Sequence, residues 1–126
     1  MQSICKVWSD AAKNRLYLVF QGTIPDDMAK SAAERVIEEA RHLRPGFSVV
    51  NDLSQAQPAG PWGAAEIKRV QAFLGYMGIE RIIRILPEVD DGVADQFEKT
   101  AGKYPTALTA GSIEEADAIL DRVQGR

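Results

Sequence analysis

The chain is predicted to fold as an α/β domain. A mixed sheet of about five strands carries about four helices, in the order β-β-α-β-α-β-α-β-α. Three observations predict this. Short runs rich in β-branched and aromatic residues alternate with longer stretches whose apolar residues recur at helical spacing. Pro, Gly, Asn and Asp punctuate the junctions. The first two strand-like runs are separated only by a short polar turn, so they pair antiparallel, whereas the later ones have helices between them and run parallel.

Ile4–Trp8 and Arg15–Gln21 are the opening hairpin strands, joined through Ser9–Asn14 and closed by Gly22. Pro25, Asp26 and Asp27 then start a helix: proline lacks the amide hydrogen that a first turn leaves unpaired, and acids suit the positive dipole end. Ala29, Ala32, Ala33, Val36, Ile37, Ala40 and Leu43 form its apolar stripe, and Pro45-Gly46 ends it. Phe47–Leu53 is almost continuously apolar, as a strand covered on both faces should be. The stretch Ser54–Gly63 is read as a loop, and a second helix runs from Pro61 or Trp62 to Tyr76, with Gly75 and Gly78 at its end. Arg81–Leu86 is a buried strand stopped by Pro87. Asp90-Asp91-Gly92 leads into a helix with Val93, Phe97 and Ala101 on one face, ended by Pro105. Thr106–Ala110 is a short strand. Ser112-Ile113-Glu114-Glu115 is a capping box opening the last helix.

At 126 residues, with 45% apolar and 26% charged residues, the chain suits one domain spanning 1–126 that buries its own core. Its net charge of −3 argues against a general nucleic-acid binder. Cys5 is the only cysteine and His42 the only histidine, so no disulfide and no Cys/His zinc cluster form within one chain. No metal and no cofactor is expected. No stretch is apolar enough to span a membrane, and Met1–Lys6 lacks the features of a secretory leader, so a cytoplasmic location is expected.

Val49-Val50-Asn51-Asp52-Leu53-Ser54 is a strand ending in Asp-Leu-Ser, Gly63-Ala64-Ala65-Glu66-Ile67 starts the next helix, Gly78–Leu86 is a glycine-led strand, and Ser112–Ala116 starts the last helix. In this order and spacing the fragments resemble the STAS domain, the family of anti-sigma factor antagonists and sulfate-transporter tails, and the related SpoIIAA-like proteins, which share an architecture with lipid-binding Sec14-type domains. The chain departs from the pattern at one informative place. With Gly63 as the motif glycine, Gly60 stands at the acid and Pro61 at the phosphoacceptor serine, followed by Trp62. Proline has no hydroxyl, so the resemblance implies a STAS-type module without the phosphoserine switch.

The function expected from this is non-enzymatic: a regulatory or protein-interaction module. The alternative is a carrier or sensor of a small apolar or anionic, lipid-like ligand, with Phe73, Tyr76 and Met77 lining a cavity above about 300 Å³. A homodimer through the Ile4–Trp8 edge is a further assembly to consider. The binding surface expected is Asp52, Ser54, Pro58, Gly60, Pro61, Trp62 and Gly63, because ligands of open α/β sheets sit beyond the carboxyl ends of the parallel strands. The competing reading is that Pro58, Pro61 and Trp62 fold back over the core edge. Asp52 is read as a cap on loop amides, Cys5 as a buried inert thiol, and His42 as a surface cap at the far end of the first helix. Asp90, Asp91 and Asp95 are read as helix-capping acids, and Lys68, Arg69, Arg81 and Arg84 as scattered solvated charges. No catalytic residue is expected, because no pair of acid-base or nucleophilic groups is brought together by spacing.

Overall fold

The computed structural model describes residues 2–58, 60–88, 92–93, 95–96 and 107–124. Strands β1 (Ile4–Asp10), β2 (Arg15–Gly22), β3 (Ser48–Ala56), β4 (Arg81–Ile85) and β5 (Leu108–Thr109) form one sheet in the order β1-β2-β3-β4-β5. Only the β1–β2 pair is antiparallel. Helices α1 (Asp26–Ala40), α2 (Pro61–Tyr76) and α3 (Ile113–Val123) complete the described elements. The helix expected between Gly92 and Pro105 lies largely outside the described residues. Val93, Asp95 and Gln96 are helical, and Gln96 donates its amide to the Gly92 carbonyl at 2.9 Å. The architecture is therefore α/β with a mixed five-stranded sheet and three full helices among the described residues.

The layers follow from strand alternation. Neighbouring residues of a strand point to opposite faces. Val49 packs in one cluster with Leu16, Leu18, Val36, Phe47, Leu74 and Ile82, so α1 and α2 cover that face. Val50 packs in another with Tyr17, Ile83, Ala116 and Leu120, so α3 covers the opposite one. Sheet pairing at each step moves in the same direction, which places the α1 and α2 crossovers side by side on one face.

Local chemistry accounts for the joints. Asn14 adopts φ 57 at the hairpin turn, a conformation Asn tolerates, and its side-chain amide both accepts from the Arg44 amide and donates to the Arg44 carbonyl. Pro25 is the N-cap of α1, one position earlier than its expected place in the first turn. Gly78 has φ +94, and a Cβ there would lie 3.1 Å from Pro45 Cβ, so only glycine fits the close approach of the two connections. Ser112 Oγ accepts from the Glu115 amide at 3.1 Å, the serine half of the expected capping box.

One tie between layers has no counterpart in the sequence reading. Arg15, at the start of β2, is 1% exposed. Its guanidinium donates to Asp117 at 2.9 Å, Asp121 at 2.6 Å and the Gln124 side chain at 2.8 Å, all on or just after α3. The Tyr17 hydroxyl donates to the same Asp117 oxygen at 2.7 Å. Burial lowers the Arg15 pKa, but its interactions with Asp121 and Tyr17 outweigh this and leave it above its ordinary value.

Candidate functional site

The carboxyl ends of β2, β3 and β4 meet the start of α2 along one rim. β3 is longer than expected. It continues through Ser54 to Ala56, because β2 offers it a parallel partner as far as Gly22. Ser54 is therefore strand, not loop. The register between β2 and β3 shifts after Val19–Asp52, so that Leu53 and Ser54 together face the single Phe20. This is a bulge, and Asp52 holds it: its Oδ1 accepts from the Ser54 amide at 3.0 Å and from the Ser54 hydroxyl at 2.7 Å. The structure thus places Asp52 as a cap on local backbone, with its carboxylate occupied by its own strand.

The connection from Gln57 to Gly60 is tied at its base. The Gln57 amide donates to the Gly22 carbonyl at 3.1 Å, and the Thr23 hydroxyl donates to the Gln57 side-chain oxygen. Pro58 is exposed. Gly60 is the extended N-cap of α2 and Pro61 occupies its first turn. There the missing amide hydrogen costs nothing, and the fixed φ suits the helix. The Gly60 carbonyl accepts the Ala64 amide at 2.8 Å, closing the first turn. Gly63 is buried and Trp62 is 73% exposed. Pro58, Pro61 and Trp62 accordingly stand out from the rim and do not fold back over the core edge.

The outward face of α2 continues from Trp62 through Ala65, Arg69 and Ala72 to Tyr76, all exposed, with Tyr76 at 87%. Arg69 is bridged to Glu66 at 2.7 Å. An aromatic at each end and small or charged residues between them leave this face without apolar cover from the described parts of the chain.

Beneath the rim a cleft of about 80 Å³ opens between α1, α2 and the sheet. It is narrower than the roughly 300 Å³ at which ordinary ligand sites begin. Phe73, Tyr76 and Met77 do not line it: Phe73 and Met77 pack on the core cluster and Tyr76 faces outward. The inner residues Ile67, Val70, Gln71 and Leu74 line it instead, because the side of α2 that faces the sheet is about half a turn away from the side that carries Tyr76.

The remaining candidates lie elsewhere. No protein-family model matches this chain, and no curated protein matches it. His42 follows the end of α1, whose C-terminus adjoins the start of β3, at the opposite end of the sheet from Trp62. Cys5 is partly buried in β1, paired with Phe20, and burial pushes its thiol up to about 11. Asp90 and Asp91 lie outside the described residues. Among the described residues no group of three or more His, Cys, Asp or Glu side chains stands close enough to hold a metal. No described helix is long and apolar enough to cross a membrane.

Arg84 corrects the sequence reading. It is 2% exposed in the middle of β4, beside Asn51 in the ladder, and so is not one of a set of solvated charges. Among the described residues Asn51 and Gln71, each 4% exposed, are the other buried polar groups on this side of the sheet. The sequence carried a weak signal for them: Asn51 and Arg84 each interrupt an otherwise apolar strand run, where a polar residue has no solvent to meet.

Proposed function

We propose that this chain is a non-enzymatic regulatory module of STAS type that acts by docking a protein partner, without a phosphoserine switch. The observation that carries the reading is the 73% exposure of Trp62, on a first turn stiffened by Pro61. A tryptophan left in water forfeits a large apolar burial, and tryptophan is the residue most enriched among the energetic anchors of protein interfaces. Its neighbours support the reading. Gly60 and Pro61 lose little side-chain entropy when covered, and the α2 face extends the surface to Tyr76. Where STAS relatives place a phosphorylatable serine, this chain has a proline beside an aromatic anchor. Partner affinity would then be constitutive and set by packing. Support for a non-enzymatic role comes from chemistry: the thiol of Cys5 is held in its unreactive form, and His42 lies at the other end of the sheet from the rim.

The test is site-specific photo-crosslinking in a lysate of the source cells, with the photoreactive residue at position 62 and, as a control, at Arg35 on α1. A discrete protein adduct from position 62 is expected, lost on adding excess unlabelled wild type and retained with excess Trp62→Ser. Adducts that match those from position 35, or that both competitors remove equally, overturn the reading.

A further inference from the structure

We propose that the cleft beneath the rim binds a small, neutral, aliphatic molecule that donates one hydrogen bond to Asn51. This site is separate from the outward surface of Trp62 and does not depend on it. On the face covered by α1 and α2, β3 presents Val49 and then Asn51, so the Asn51 side chain points into the layer where the cleft lies. Asn51 is 4% exposed, and its Oδ1 is fully buried with no hydrogen-bond partner among the described residues. A buried carbonyl oxygen without a donor is unfavourable, and folded proteins satisfy nearly all of them. A donor on a molecule in the cleft, which Asn51 itself lines, satisfies it.

The walls define the rest of the ligand. Leu18, Ala33, Val36, Ile67, Leu74 and Ile82 supply apolar surface, and Gln71 and Gln96, which also line the cleft, are engaged with other groups, so the part beyond the donor is aliphatic. A volume of about 80 Å³ sets its size. An apolar cavity of about 150 Å³ holds benzene, so this one holds roughly three to five heavy atoms. Among the described residues Glu66 is the one charged residue lining the cleft, and it is bridged to Arg69. A carboxylate or phosphate head would meet that acid, and among the described residues no cation lines the cleft to balance it. Arg84 neighbours Asn51 in the ladder but is not among the lining residues and is engaged with other groups. The head is therefore neutral, which departs from the anionic ligand considered from the sequence.

The experiment titrates the isotopically labelled protein with two isomers of equal size, butan-1-ol and methyl propyl ether. The alcohol has a donor and the ether has none. Saturable amide shifts at Asn51, Ala33 and Leu74 are expected, with the alcohol binding at least tenfold more tightly than the ether. Asn51→Leu, which keeps the branched heavy-atom shape and removes the acceptor, should bring the two probes within about twofold of each other. Ala33→Leu, which fills the cleft, should abolish both. Equal binding of the two isomers by wild type, or shifts that do not saturate, overturns the proposal and leaves ordered water as the partner of Asn51. The wild-type comparison decides the matter even if Asn51→Leu fails to fold.

Discussion

Replacing Arg15 with methionine tests what joins α3 to the sheet. The substitution keeps the apolar stem and removes a guanidinium that is 1% exposed and makes three hydrogen bonds, at 2.9, 2.6 and 2.8 Å. Breaking a fully buried ion pair costs about 3–5 kcal/mol, because the abandoned charge has no water. Here the abandoned charges are better placed. Asp121 is 46% exposed and rehydrates, while Asp117 is 26% exposed and keeps the Tyr17 hydroxyl. The guanidinium also recovers no hydration in the folded wild type, which offsets part of what its bonds contribute. The expected loss is therefore about 2–4 kcal/mol, below the fully buried case. For a chain of this size that is a fall in Tm of roughly 10 °C. Urea denaturation followed by circular dichroism measures it. The two acids should differ in a defined order: Asp117→Asn costs more than Asp121→Asn, because Asp117 serves two donors and is the less exposed. A change of less than about 0.5 kcal/mol for Arg15→Met, the level of an ordinary surface substitution, would refute the reasoning.

The same network predicts a pH dependence. Burial and the bond to Asp117 push the Tyr17 hydroxyl up to about 12. The unfolded chain releases that proton near 10, so between pH 10 and 12 the folded state holds more protons and stability falls as pH rises. The loss amounts to about 2 kcal/mol by pH 12, read as the difference in urea midpoints between wild type and Tyr17→Phe, in which this component is absent. Gly78→Ala should destabilise by about 1–3 kcal/mol, since the residue has φ +94 and its new Cβ would sit 3.1 Å from Pro45 Cβ. A Tm unchanged from wild type would contradict the close approach. Cys5, held near 11, should react with iodoacetamide at pH 8 about 100-fold more slowly than an unhindered thiol, as followed by mass spectrometry. Modification at the rate of free cysteine would show that the thiol is not shielded by the sheet.

Much of the fold was legible in local pattern. The stripe from Ala29 to Leu43 marked α1, the run from Phe47 marked β3, and Ser112 marked the start of α3. Pro61 stands at the head of α2, as its chemistry requires. The reading went astray where a neighbour overrode composition. Ser54–Ala56 look like loop residues, yet they pair with the end of β2, because a ladder bonds backbone groups whatever the side chains. Arg84 looks like a surface charge, yet its strand is flanked on both sides by β3 and β5, and the residue is 2% exposed. At the rim, the spacing of Gly60, Pro61 and Trp62 located the surface, but no local signal says whether a tryptophan faces water or core.

By itself, then, the sequence determined the described elements and their boundaries to within a few residues, because helix and strand repeat at different periods and stop at residues with particular backbone needs. Tertiary structure alone decided which side chains meet. Arg15 and Asp121 lie 106 positions apart and Asn51 reaches the cleft between two helices. No periodicity encodes such meetings; strand register and the packing of helices on a chosen face bring them about.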